Sequence, residues 1–231
     1  NIAAAWVKDG VHDMAVALSH DGRAITAVRG WSRSFPWTTC PAATMQLEQL
    51  VGSSLPETGS FAGIDQALQC THLLDLARLA ASQARAGGRT RIKIAIAEAG
   101  DRAGSLRAYL ERDGISRLSW EIADYIVMAP SPWDGHRIDG RATLPATAEP
   151  EEVLHALMLR RAVKMYRGRA RSRAAGATSL PANQHWMTGA CYTYQPSIAA
   201  HADIAPGHRR ASSWEERPRA GDVIGRMKRR D

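Results

Sequence analysis

Apolar residues that recur at every second position limit most strongly what this chain can fold into. Residues 90–97 (TRIKIAIA) put Ile92, Ile94 and Ile96 on one side, the pattern of a strand with one buried face. Residues 11–18 alternate as well. His12, Met14, Val16 and Leu18 share one face; Asp13, Ala15, Ala17 and then Ser19 share the other. His20-Asp21-Gly22-Arg23 supplies hairpin turn chemistry, so residues 24–28 return as a second strand. Phe35-Pro36-Trp37 ends that pairing, because proline cannot donate to a ladder. Residues 106–110, 118–122 and 125–128 read as further strands, with turns at Asp113-Gly114 and near Asp124. The middle of the chain is therefore an antiparallel meander.

Three helices complete the pattern. Thr38 or Thr39 can cap one that starts near Pro41 and runs through Met45, Leu47 and Leu50 to Gly52. After a loop with Pro56 and Gly59, the next runs from about residue 64 to 84 and stops at Gly87-Gly88. Its apolar arc holds Cys70, Leu73, Leu74, Ala77, Ala80 and Ala81. Pro132-Trp133-Asp134-Gly135 reads as a turn, and a third helix runs from Pro150 to about Arg167. These elements predict an α+β domain over residues 1–200, an antiparallel meander packed on three main helices. Residues 201–231, with eight Lys/Arg against five acids, read as a basic tail or an arm to another subunit.

At 231 residues such a domain can bury a core without disulfides or structural metal. Three cysteines cannot all pair, and no apolar run approaches the roughly 18 residues of a spanning helix. A cytoplasmic protein with free thiols is expected. The net charge of +7 is local, since residues 160–173 hold seven Lys/Arg and no acid. That stretch overlaps a helix end, where cations complement the dipole. It suits a solvated helix end or a small anion better than nucleic acid.

Reactive side chains collect in three short clusters: Val11-His12-Asp13-Met14, Thr39-Cys40-Pro41-Ala42 and Cys70-Thr71-His72-Leu73. His12 is a candidate general base or acid, or a core-rim histidine satisfied by a carbonyl. Cys40 starts a helix, where the dipole favours a thiolate; packing is the plainer role for it and for Cys70. His72 has Asp75 three residues on, which lets a carboxylate orient the imidazole. Two Cys and two His are ligand types zinc prefers, but no Cys-x-x-Cys or His-x-x-x-His pair is present. No cofactor is expected, with zinc as the lesser alternative. There is no glycine-rich phosphate loop and no Gly-x-Ser-x-Gly elbow. Trp31, Trp37, Trp120, Trp133 and Trp186, with Tyr192 and Tyr194, supply aromatic walls for a flat ligand, or core and subunit contacts.

The pieces VHDMAVALSHDG, PWTTCPAA, LVGSSL, QCTHLLDLA, LRRAV and ACYTYQP, spread over about residues 10–197, together resemble a bacterial family catalogued as domain of unknown function 2889. The resemblance implies a single α+β domain, found largely in bacteria that degrade aromatic, steroid or terpenoid compounds. It supplies no established catalytic residues; His12, Cys40, Cys70, His72 and Asp75 fall on its signature positions. The basic tail is longer, and the segment after the last helix more Arg-rich, than the family pattern.

The expectation is a cofactor-independent lyase acting on a small phenolic or polycyclic compound, for example by retro-aldol-like loss of formaldehyde. His12 or His72, held by Asp75, would be the base, with Tyr192 or Tyr194 relaying a proton. Trp37, Cys40, Arg160, Arg161 and Lys164 would bind the substrate, the cations steadying a phenolate or enolate. The alternative is a non-catalytic carrier or accessory protein for an aromatic or steroid-like ligand. No nucleic acid or membrane partner is expected, and a homodimer is.

Overall fold

The computed structural model describes residues 1–55, 61–99, 104–139, 145, 148–174 and 187–206. Pro56, Gly59, Trp186, residues 207–231 and the arginine side chains after Gly168 lie outside the described residues. The chain divides into two compact units, Asn1–Gly87 with Ala177–Asp231, and Gly88–Gly176. The class is α+β, with two antiparallel sheets.

In the first unit β1 (Ile2–Lys8), β2 (Asp13–His20) and β3 (Ile25–Ser34) form a sheet in the order β1-β2-β3. The expected hairpin forms: Asp21 Oδ1 accepts from the amides of Arg23 and Ala24, and Gly22 takes φ 100°. β1 is not legible as a strand, because IAAAWVK offers few β-branched residues and no clean alternation. Its partner β2 decides it, with Ala3 opposite Leu18 and Val7 opposite Met14. Met14, Val16 and Leu18 face a core completed by Leu47, Leu50, Leu73, Leu74 and Leu76.

The helix after Thr39 is a 3₁₀-helix, Cys40–Leu50, rather than an α-helix. Its buried residues Cys40 and Ala43, then Leu47 and Leu50, are three apart and stack in a helix of three residues per turn. It lies close on β3: a Cβ at Gly30 would stand 2.7 Å from Leu47 Cδ1. The expected threonine cap is absent, for both hydroxyls are engaged elsewhere. Thr39 Oγ1 donates to Thr193 Oγ1 at 3.3 Å, and Thr38 Oγ1 accepts from the Asp203 amide at 3.0 Å.

The second helix, α1 (Thr71–Ala86), starts seven residues later than the pattern suggests and ends at Gly87, φ 69°. Gln69 and Cys70 are extended, which breaks the run after the short 3₁₀ turn Gln66–Leu68. Gln69 is held there from both ends. Its side-chain amide donates to the Gln46 carbonyl at 2.9 Å, and its carbonyl accepts from the Tyr192 amide at 2.9 Å. Residues 187–206 thus return to the start of α1, and then to β3, through bonds from Thr38 N to Asp203 O and from Ala205 N to Pro36 O.

The second unit is the expected meander: β4 (Ile92–Glu98), β5 (Leu106–Arg112), β6 (Ile115–Ala123) and β7 (Ile126–Ala129), in that order. Asp113 and Gly114 both have positive φ, as a two-residue hairpin turn needs. α2 (Pro150–Ala174) outruns its expected end at Arg167 and packs Ala156, Leu159 and Val163 on Leu110, Trp120 and Ile122. Trp133 is buried in this core, its indole N–H donating to Glu152 at 3.0 Å.

Candidate functional site

His12 does not project from a strand; it closes the β1–β2 turn. Asp9 Oδ1 accepts from the amides of Val11 at 2.6 Å and His12 at 2.7 Å, and the Asp9 amide donates back to the His12 carbonyl at 2.9 Å. This local ring of bonds fixes the backbone and brings the Asp9 carboxylate to the imidazole, 3.1 Å from Nδ1. Burial opposes the charge on Asp9. The bonds from the His12 ring and the two amides outweigh it and hold the carboxyl well below the usual carboxylate range. An ionised carboxylate only accepts, so Nδ1 of His12 carries the proton and Nε2 is the basic nitrogen of the neutral ring.

His72, in the first turn of α1, stacks on His12 with ring centroids 3.9 Å apart and planes 26° from parallel. His12 is 2% exposed and His72 is half-buried, so His72 presents the open edge of the pair. The β1–β2 turn and α1 thus bring together one carboxylate and two imidazoles. Asp9 is the member sequence reasoning missed. The Asp9-Gly10 dipeptide, a turn signal just before the first alternating stretch, could have indicated it. Asp75 pairs with the Arg78 guanidinium at 2.9 Å, both side chains largely buried.

The thiols form a second group beside the start of α1. Cys70 is the N-cap residue of α1, not the middle of its apolar arc. Cys40 opens the 3₁₀-helix and accepts from the Thr193 hydroxyl at 3.5 Å. Burial pushes Cys40 up to about 11 and Cys70 up to about 12, so desolvation defeats the helix-end field and both stay neutral thiols. Cys191, missed as a member of this group, acts electrostatically on both. It is half-buried, the most accessible of the three thiols. At pH 7.5 iodoacetamide is expected to label Cys191 first, with Cys40 and Cys70 at least about tenfold slower. Peptide mass spectrometry of a time course checks this; labelling of Cys40 as fast as Cys191 would contradict the burial argument.

Trp37 and Tyr194 meet edge to face, 6.5 Å between centroids, in a small core with Cys40 and Ala202. Burial, with Cys191 adding, pushes the Tyr194 phenol well up, so it is a proton donor and not a base at neutral pH. Tyr192 packs half-buried against the first core. Arg160, Arg161 and Lys164 lie on α2, in the second unit. Among the described residues no group of three or more His, Cys, Asp or Glu is placed to hold a metal ion, and no helix is long and apolar enough to cross a membrane.

Residues 3–85 match the family model described as "Protein of unknown function (DUF2889)", the family that the motifs resemble. The match runs from β1 to the last turn of α1. It takes in Asp9, His12, Cys40, Cys70 and His72, and leaves out residues 187–206, which bond to Thr39, Cys40 and Gln69. Neither a curated protein nor a solved structure matches the chain.

Proposed function

We propose that the protein is an enzyme that moves protons on a small hydroxylated aromatic molecule, with Asp9, His12 and His72 as its working group. The observation that carries this reading is the stacked imidazole pair with a carboxylate bound to one ring. Asp9 balances one imidazolium charge, and a second positive ring 3.9 Å away would meet direct repulsion. A base and an acid side by side are what proton abstraction and return require.

The reaction that suits such a pair is a lyase step without a redox change. One imidazole takes the proton of a side-chain hydroxyl, and the carbon–carbon bond beside it breaks as a small carbonyl compound such as formaldehyde forms. The electron pair passes into the aryl-conjugated fragment, and an imidazolium returns a proton to carbon. The aromatic substrate class rests on the family resemblance. A cytoplasmic setting belongs to the same reading, since three thiols cannot all pair.

The 2% exposure of His12 favours a second reading, a ligand carrier in which the imidazole pair is structural. Histidine titration by NMR on the whole chain separates the two. The enzyme reading expects at least one of the two rings to titrate between pH 5 and 8, and its resonances to move when hydroxylated aryl compounds are added. Two rings silent across that range would leave the pair structural.

A further inference from the structure

Cys40, Cys70 and Cys191 come from three distant segments of the first unit, and none is in a disulfide. One backbone bond sets two of them against each other: the Tyr192 amide donates to the Gln69 carbonyl at 2.9 Å. Cys191 precedes the donor, Cys70 follows the acceptor, and both have extended backbone. Two residues so offset occupy the places of a non-hydrogen-bonded pair in an antiparallel ladder, where Cα atoms stand about 4.5 Å apart. Disulfides bridge Cα separations of roughly 4.4–6.8 Å. Cys40 is held differently. Its sulfur accepts from the Thr193 hydroxyl at 3.5 Å, and it packs with Trp37 and Ala202.

We propose that Cys191 and Cys70 form a reversible disulfide, made by a hydroperoxide, that fastens residues 187–206 to the start of α1. Burial divides the work between the two thiols. Cys191 is half-buried and meets the oxidant, whereas Cys70 is buried, so a neighbouring sulfur reaches it more readily than a dissolved reagent. The Cys191 sulfur, as thiolate, attacks one peroxide oxygen; the O–O bond breaks, hydroxide leaves and a sulfenic acid forms. The Cys70 sulfur then attacks the Cys191 sulfur. The S–S bond forms, the S–O bond breaks, and the oxygen leaves as water with the Cys70 proton. In sum the two thiols lose two electrons and two protons, and hydrogen peroxide becomes two waters. A dithiol reverses the bond, with Cys70 leaving as thiolate. The amides of Leu73 and His72 act on that sulfur against the effect of burial and so ease its charge. His72 follows Cys70 by two residues, so the bond bears on the imidazole pair as well. The pairing of the thiols does not depend on the proton-transfer chemistry.

The test treats the full chain with a small excess of hydrogen peroxide, alkylates it with N-ethylmaleimide in denaturant and digests it without reduction. Mass spectrometry is expected to find Cys70 and Cys191 in one linked peptide from a single chain, lost after dithiothreitol. Cys191→Ser is expected to abolish that peptide and Cys40→Ser to keep it; the wild-type peptides decide the pairing should either variant fail to fold. The His12 and His72 resonances are expected to shift on oxidation and to return on reduction. Cys191 carried on to sulfinic acid with Cys70 still alkylated overturns the pairing. So does a link from Cys191 to Cys40 or to a second chain. Histidine resonances unmoved in the linked protein overturn its reach to the imidazole pair.

Discussion

His72→Gln is expected to lower turnover at least about 100-fold, the loss typical when a positioned acid or base is removed. Glutamine keeps a polar side chain in the first turn of α1 but can neither take nor give a proton at neutral pH. The rate to follow is carbonyl release from the hydroxylated aryl compound that moves the histidine resonances. Because His72 is the more open ring, the loss should fall on kcat, with KM changing less. Asp9→Asn supplies the companion measurement. It removes the charge that orients His12 at 3.1 Å, so the pH–rate profile should move while the variant still folds. Turnover of His72→Gln within a few-fold of wild type would remove this residue from the mechanism.

The second large effect concerns stability. Trp37→Ala is expected to cost about 3–5 kcal/mol, the range for emptying a buried aromatic site. Trp37 is only 9% exposed, and its surroundings are Cys40, Ala202 and the Tyr194 ring. Its backbone also bridges to Ile204, so the indole sits where residues 187–206 close on the end of β3. Removing it opens a hole that neither segment can fill alone. Against the roughly 5–15 kcal/mol that holds a domain together, that loss is severe. Urea denaturation followed by far-UV circular dichroism measures it. If Trp37 were a wall of the substrate site, the midpoint would hardly move and KM would rise.

The elements easiest to read in the sequence were those whose burial is periodic over their own length. Ile92, Ile94 and Ile96 alternate because one side of β4 faces α2, and Gly87 ends α1 because only glycine easily takes φ 69° there. β1 was hidden because alanines pack well in either state, and its pairing with β2 supplies the decision. Gln69 and Cys70 scan as helix, yet contacts from Gln46 and Tyr192 hold Gln69 extended. The candidate site shows the same division. His12 and His72 stood out as residues, while the stacking between them depends on β2 lying against α1.

Local order alone thus determined where strands and helices could form, the α+β class and the short list of reactive groups. Tertiary structure decided which carboxylate stands beside which imidazole, that Cys40 and Cys70 stay protonated, and that residues 187–206 lie against the start of α1. Alternation and turn chemistry act between near neighbours, so they leave a trace in the residue order. Desolvation and contacts between residues more than a hundred positions apart arise only once the chain has closed on itself.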